Sequence, residues 1–323
     1  MAGMGALHEL PKAELHLHLE GSATPEILHE LVPEAPIEEI RQRYRFSNFA
    51  GFLECFKWVV EHLRSPDDYA LLLKRLLENL ERENVRYAEI TLSAGVVLWK
   101  KQNFAAIYEA IRRVQAASPV EVWWNLDAIR HFGAAHAMQV AELAAERVDD
   151  GVVSFGIGGD EERGPAEWFR EAYQFAQSKG LRLTAHAGET AGPESIWGAL
   201  RIGAERVGHG IRAIDDPALV RHLRDNAIPL EISLTSNVAT GAVRSLNEHP
   251  VRRLHEAGVP IVLNSDDPGI FGTTLTREYD LAKTQFAFSD TELAEIAGNG
   301  FRYAFRKWRG GATPSVSSIP ASK

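Results

Sequence analysis

The feature that most restricts how this chain can fold is an alternation repeated along most of its length. Short runs rich in β-branched and aromatic residues are each followed by a longer stretch with apolar residues at helical spacing. The runs are 12–19 (KAELHLHL), 85–92 (VRYAEITL), 120–129 (VEVWWNLDAI), 152–158 (VVSFGIG), 181–187 (LRLTAHA), 206–210 (RVGHG), 229–234 (PLEISL) and 259–265 (VPIVLNS). Between them lie amphipathic stretches such as 134–148 (AAHAMQVAELAAERV) and 165–180 (PAEWFREAYQFAQSKG). Strands joined by helical crossovers run parallel to one another. Eight of them make an α/β fold that closes as a (β/α)8 barrel, the TIM barrel. The length of 323 residues suits it, about 250 being typical before insertions. A doubly wound open sheet is the alternative, but the first strand lacks the glycine-rich turn that cradles a dinucleotide.

Two regions depart from the rhythm. Residues 21–84 are too long for one crossover and hold several helical pieces, among them 48–63 (NFAGFLECFKWVVEHL). They are expected to form a helical insertion after strand 1, placed as a lid or pocket wall. Residues 310–323 (GGATPSVSSIPASK) are rich in Gly, Ser and Pro and are expected to be a disordered tail, leaving 1–309 as a single barrel. A net charge of -9 provides no basic stripe for phosphates, so no nucleic-acid partner is expected. Cys55 is the only cysteine, which excludes an intramolecular disulfide and any cysteine-based zinc cluster. Neither a signal-type leader nor a run of about 20 apolar residues is present, so a cytoplasmic protein without a membrane partner is expected.

The chemistry is concentrated at the strand ends. In the first strand Glu14, His16, His18 and Glu20 share one face, and Leu15, Leu17 and Leu19 the other. In a barrel the leucines would meet the helices and the imidazoles the interior, which branched apolar side chains normally fill. Buried imidazoles need partners, and a shared metal supplies one; a hydrogen-bonded pair of core histidines is the plainer alternative. Of twelve histidines, His16, His18, His186 and His209 fall at C-terminal strand ends, where barrel enzymes gather catalytic residues. The last strand delivers Asp266 and Asp267 to the same rim, although Asp-Asp-Pro by itself reads more readily as a turn or helix cap than as a ligand. Three histidines and a carboxylate suit zinc with a position left for water. His8, His29, His62, His131, His136, His222, His249 and His255 read as solvated or capping residues. The aromatic stretch Phe46, Phe49, Phe52, Phe56 and Trp58 reads mostly as helix core, with one or two side chains facing the pocket.

Six motifs occur in order: His16-Leu17-His18-Leu19-Glu20-Gly21, Gly158-Gly159-Asp160-Glu161, His186-Ala187-Gly188-Glu189, Gly208-His209-Gly210, Thr235-Ser236-Asn237 and Ser265-Asp266-Asp267-Pro268. With them the chain resembles the adenosine deaminase family of the amidohydrolase superfamily, from about residue 9 to 308. The resemblance implies one Zn2+ per chain, held by His16, His18, His186 and the catalytic Asp266, with His18 also beside the substrate. Glu189 would protonate the ring nitrogen next to the attacked carbon, and His209 would orient and help deprotonate the water. Asp267 would bind the imidazole-ring nitrogen and the Gly159 amide another ring nitrogen, while a 6-amino group is exchanged for a 6-oxo group. Binuclear relatives bridge two metals with a modified lysine on the fourth strand; residues 152–161 contain none, which favours a single ion.

Where Glu20 stands, the family usually has an aspartate that touches the sugar 5′-hydroxyl, so the longer side chain implies a substrate changed at that end. Segments 127–133 (DAIRHFG), 156–165 (GIGGDEERGP) and 266–279 (DDPGIFGTTLTREY) are most similar to the bacterial aminodeoxyfutalosine deaminase branch. That similarity implies 6-aminodeoxyfutalosine, an adenine nucleoside with a benzoate-ended 5′ extension used in menaquinone biosynthesis. Adenosine and then adenine are the alternatives. Arg130, otherwise a structural ion pair, and residues 40–65 are candidates to meet the benzoate. A barrel metallohydrolase opening a cyclic amide or ester and a non-catalytic binding protein are the more distant readings. Oligomeric state stays open.

Overall fold

The structure, a computed structural model, describes residues 7–310; the tail expected at 310–323 therefore lies, beyond its first residue, outside the described residues. Eight strands occupy β1 (Lys12–His18), β2 (Val85–Leu92), β3 (Glu121–Ile129), β4 (Val152–Gly158), β5 (Arg182–Ala187), β6 (Arg206–His209), β7 (Leu230–Ile232) and β8 (Ile261–Leu263). They pair in sequence order, each parallel to the next, into a nearly closed barrel with helices between them. Every strand lies within the run that its sequence marks. β7 and β8 shorten to three residues each. Pro229 and Pro260, just before them, have no N–H to extend the ladder.

The seam between β8 and β1 is closed differently. One bridge joins Leu17 and Asp266. There the Asp266 N–H donates to the His16 carbonyl (3.1 Å) and the His18 N–H to the Asp266 carbonyl (2.8 Å). Below it, Asn264 Oδ1 accepts from both the Leu15 N–H (2.8 Å) and the His16 N–H (3.1 Å). A side-chain carbonyl thus takes the place of ladder carbonyls where the two strands meet.

Residues 21–84 fold as the helices Pro25–Leu31, Ile37–Arg43, Phe49–His62 and Pro66–Arg82. Their starts follow local chemistry. Thr24 and Asn48 cap the first and third, and a reciprocal Ser65/Asp68 box with Pro66 in the first turn opens the fourth. Leu72, Leu73, Leu76, Leu77 and Leu80 form the buried stripe of Pro66–Arg82, which packs on the helix Phe104–Gln115. Phe49–His62 buries Phe52, Cys55, Val59 and Val60 and lies along the barrel mouth. No helix among the described residues is long and apolar enough to cross a membrane.

The barrel interior is unusually polar. Glu14, His16, His18, Glu89, Asn125, Asp127, Arg206 and Glu231 are all buried. Arg206 bridges Glu231 (2.6 Å) and Glu89, and its guanidinium lies 3.6 Å from the Phe305 ring centroid. Buried ions are tolerated when paired and hydrogen-bonded, and this chain of contacts leads upward to His16.

Candidate active site

His16 and His18 leave β1 on one face, His186 lies in β5, His209 ends β6, and Asp266 and Asp267 follow β8. Their polar atoms converge at the C-terminal rim. His18 Nε2 is 3.1 Å from His186 Nε2, and Asp266 Oδ1 is 3.3 Å from His16 Nε2 and 3.5 Å from His18 Nε2. Four ligands arranged tetrahedrally around zinc at about 2.0–2.1 Å stand roughly 3.3 Å apart, close to these three separations. His209 sits slightly further out, its Nε2 3.6 Å from Glu189 Oε2 and 3.9 Å from Asp266 Oδ2. Two overlapping donor groups fall within 4.8 Å, one of His16, His186, His209 and Asp266 and one of His18, Asp266 and Asp267.

The outer partners orient the rings. His16 Nδ1 faces Glu231 Oε2 at 3.0 Å. Burial alone would raise the Glu231 carboxyl, but Arg206 and His16 outweigh it and keep it below the usual range, so it accepts from a protonated Nδ1. His186 Nδ1 lies 3.1 Å from the Ile157 carbonyl, which can only accept. In the neutral form that a metal requires, both rings therefore turn a bare Nε2 inward. His16 Nε2 is buried without a hydrogen-bond partner while pointing at a carboxylate. A lone pair facing an anion in a dry site is repulsive, and a cation between them removes the conflict. This donor set fits a divalent metal.

Backbone geometry is special at the same place. His209 (φ 61°) and Asp266 (φ 63°) both occupy the left-handed region, at a cost of about 1–2 kcal/mol per residue without glycine's freedom. Two glycines are required by close approach. A Cβ on Gly208 would lie 2.6 Å from His16 Cε1, and one on Gly21 would lie 1.6 Å from Asp267 Oδ1.

Glu189 is buried beside this cluster and accepts from the Thr240 hydroxyl (3.1 Å). Burial, reinforced by the charges of Asp266 and Glu161, pushes its carboxyl up to about 8. The segment bearing it is pinned by Glu161, which accepts from the N–H groups of Gly188 (2.7 Å), Glu189 (2.9 Å) and Thr190 (2.9 Å) and from the Ser195 hydroxyl. Glu161 belongs to a motif visible in the sequence, yet no spacing announces that it binds a loop 27 residues downstream.

A cavity of about 380 Å3 opens above these groups. Its floor includes His18, Gly159, His186, Glu189, His209, Asp266 and Asp267. Its outer wall is aromatic. Phe49, Phe52 and Phe56 of the insertion face it, so the 46–58 stretch contributes more to the pocket than its helical spacing suggests. Across from them Trp99 stacks on Phe132 with 5.7 Å between centroids and is 55% exposed.

Several expectations change. Arg130 is buried and donates to the carbonyls of Gly164 and His186, which leaves it neither free for a substrate nor in a direct ion pair among the described residues. His131 lines the cavity. His249, expected as solvated or capping, is buried and does cap, its Nδ1 accepting from the Val251 N–H, while its Nε2 is bonded to Asn237. Because β1 ends at His18, strand alternation no longer orients Glu20, which lies in a 3-10 turn. Glu20 is buried behind Ser93, accepts the Ser93 N–H (3.0 Å), and leaves Oε2 unpartnered. Ser93 and Asp127 line the cavity instead. Asp127 Oδ1 is also unpartnered, a polar group that the sequence offered only as a neighbour of Arg130.

The sequence model of the family described as Adenosine deaminase matches residues 11–310. The chain is similar to the aminodeoxyfutalosine deaminase of Streptomyces coelicolor, 39% identical over 311 residues, covering 92% of this chain and 80% of the relative. It is also similar to the adenine deaminase of Rhizobium leguminosarum bv. trifolii, 37% identical over 305 residues, covering 92% and 95%. Among solved structures, a zinc-bound amidohydrolase from Burkholderia ambifaria superposes with a TM-score of 0.85 at 25% identity, covering 95% of this chain and 88% of that one.

Proposed function

The chain belongs to the adenosine deaminase family and is a hydrolytic deaminase of adenine-type substrates, and on that premise we propose that its substrate is 6-aminodeoxyfutalosine and its metal one zinc ion held by His16, His18, His186 and Asp266. The observation that carries the reading is a buried carboxyl, Glu189, which its surroundings push up to about 8, set beside a converging His/Asp donor set in one cavity. His18 is preferred to His209 as the third imidazole because it lies closer to Asp266, at 3.5 Å against 3.9 Å. When bound, zinc in such a site supplies the Lewis acidity that makes water a nucleophile near neutral pH.

The protein's own groups then present donors to a ring that offers acceptors. Glu189 in its protonated form donates to the ring nitrogen beside the attacked carbon, where negative charge would otherwise build as aromaticity is lost. Burial, and after it the adjacent Asp266 charge, hold the Asp267 carboxyl well above its ordinary range. In its protonated form Asp267 donates to the imidazole-ring nitrogen, and the Gly159 N–H serves the remaining acceptor. His209 faces the side from which oxygen attacks. Of the attacking water's two protons, one passes to the amino group, which leaves as ammonia, and the other restores the proton that Glu189 gave to the ring.

The outer half of the cavity supports the choice among adenine compounds. The Phe49/Phe52/Phe56 and Trp99/Phe132 walls suit an aromatic 5′ extension, and the cations lining the same cavity are Lys57 and Arg163, the latter paired with Asp160 at 3.3 Å, so Lys57 is the one offered to a carboxylate. This substrate would place the chain in menaquinone biosynthesis in the cytoplasm. The test is kcat/KM for 6-aminodeoxyfutalosine, adenosine, 5′-deoxyadenosine and adenine on zinc-replete enzyme. A preference of a hundredfold or more, about 2.7 kcal/mol of transition-state discrimination, is expected for 6-aminodeoxyfutalosine. Adenosine or adenine turning over fastest would overturn the substrate assignment while leaving the deaminase intact.

A further inference from the structure

A line of buried hydrogen bonds runs from a backbone N–H to the ring of His209. The Val251 N–H donates to His249 Nδ1 (3.1 Å), His249 Nε2 lies 3.0 Å from Asn237 Oδ1, and Asn237 Nδ2 lies 3.0 Å from His209 Nδ1. Asn237 is fully buried and His249 is 5% exposed, so water does not substitute for these partners. Only the first link has a donor whose identity is beyond choice, because a backbone N–H can do nothing but donate. It requires a bare Nδ1 on His249. Burial, then the neighbouring His209, keeps that imidazole neutral, with its ring pushed down to about 3. The single ring proton is then on Nε2, and it goes to the Asn237 oxygen. The Asn237 amide nitrogen must therefore face His209 and donate to its Nδ1. Turning the Asn237 amide over would set two donors, or two lone pairs, against each other along the line.

We infer that His249 and Asn237 are positioning residues that hold the proton of His209 on Nε2, the nitrogen that faces Glu189 and Asp266. A ring in this tautomer donates a hydrogen bond to an oxygen nucleophile and cannot accept the water's proton at the same nitrogen. His209 then orients the attacking oxygen, and the share in deprotonating water that the family resemblance suggested does not fall to it. The catalytic consequence rests on the deaminase reading; the tautomer itself does not. His249 does cap the helix Val251–Glu256 through Nδ1, but its opposite nitrogen reaches toward the active site.

The test combines imidazole 15N spectra of histidine-labelled protein, metal-free and zinc-loaded, with steady-state kinetics. The expected wild-type spectrum assigns His209 a bare Nδ1 and a protonated Nε2 in both forms. Asn237→Asp, nearly isosteric, puts an acceptor opposite Nδ1, so Nδ1 becomes protonated and kcat falls roughly 10- to 100-fold, the loss typical when the partner that orients a site imidazole is changed. KM changes by no more than about threefold, because ring-nitrogen contacts to substrate are untouched. His249→Leu gives the same kcat-selective loss, and His249→Gln, which keeps a donor toward Asn237, recovers most of it. If His249→Leu fails to fold, Asn237→Asp still decides. A wild-type His209 protonated on Nδ1, or an Asn237→Asp enzyme with unchanged kcat, overturns the inference. Inactivity of every adenine compound would instead count against the proposed function, since the spectra need no substrate.

Discussion

Replacing Glu161 with glutamine isolates the contribution of one carboxylate to the loop that carries Glu189. In the native site its two oxygens receive three backbone N–H groups and the Ser195 hydroxyl. Glutamine keeps the shape but substitutes an NH2 for one oxygen. The less costly orientation turns that NH2 toward Gly188 and Ser195, whose hydroxyl can rotate to accept. The Gly188 N–H is then left facing a donor, at about 1–3 kcal/mol, and the remaining bonds lose charge assistance worth about 1 kcal/mol more. The total is roughly 3 kcal/mol. With an unfolding entropy of about 2.1 cal/mol/K per residue, 323 residues convert this into a Tm drop of roughly 4–5 °C. If the segment 188–190 shifts to relieve the conflict, the Tm change shrinks and the penalty appears in catalysis, where a displacement of about 1 Å costs around 100-fold. Differential scanning calorimetry and kcat on the same zinc-quantified sample measure both. A variant within about 1 °C and about twofold of wild type on the two axes would show that something other than Glu161 holds the loop.

Glu189→Gln retains size and metal content but lacks the transferable proton, so kcat drops roughly 10²- to 10⁴-fold. Because Glu189 acts protonated and burial pushes it up to about 8, wild-type kcat/KM stays level well above the ordinary carboxyl range. It declines as pH rises through that value, and the residual activity of the variant lacks this limb. Chelation abolishes activity and lowers Tm, since an ion bound only by the folded state stabilises it, and one equivalent of zinc restores both; full activity in metal-free enzyme would refute the site. Gly208→Ala drives a methyl into the His16 ring, so zinc affinity measured by competition falls roughly tenfold or more while far-UV circular dichroism stays unchanged.

How far the site was legible in the sequence depends on whether its parts are set by local periodicity or by contacts across the barrel. All eight strands could be placed from composition and turn residues, because β-branched runs at crossover spacing have few other uses. The outward leucines of β1 likewise marked His16 and His18 as interior groups. Alternation ceased to help at Glu20, where the chain leaves the strand for a 3-10 turn and the side chain slips behind Ser93. Arg130 reads in one dimension as half of a structural ion pair or, second to that, as a cation for substrate, and only the approach of the Gly164 and His186 carbonyls shows that it is neither. His249 sits in a polar stretch, NEHP, that resembles a solvated loop; the ring of Phe286, 5.9 Å away, helps to bury it. Glu161, Asn237 and Glu231 act on residues far along the chain, and their partners are defined by barrel radius and shear rather than by spacing.

The seam between β8 and β1 bears on how the protein reaches its native state. Asn264 contacts Leu15 across 249 residues, and the one bridge at Leu17 and Asp266 joins the same two ends of the chain. His16 and His18 stand on one edge of that gap and Asp266 on the other. No partial barrel, however well formed, can bring the three together, since the first and last strands meet only when the ring is complete. During refolding, helical signal should therefore return before metal affinity. Competence to capture the ion would then report circular closure itself, and a ribosome-bound nascent chain that has not yet released β8 carries a barrel wall with no working centre.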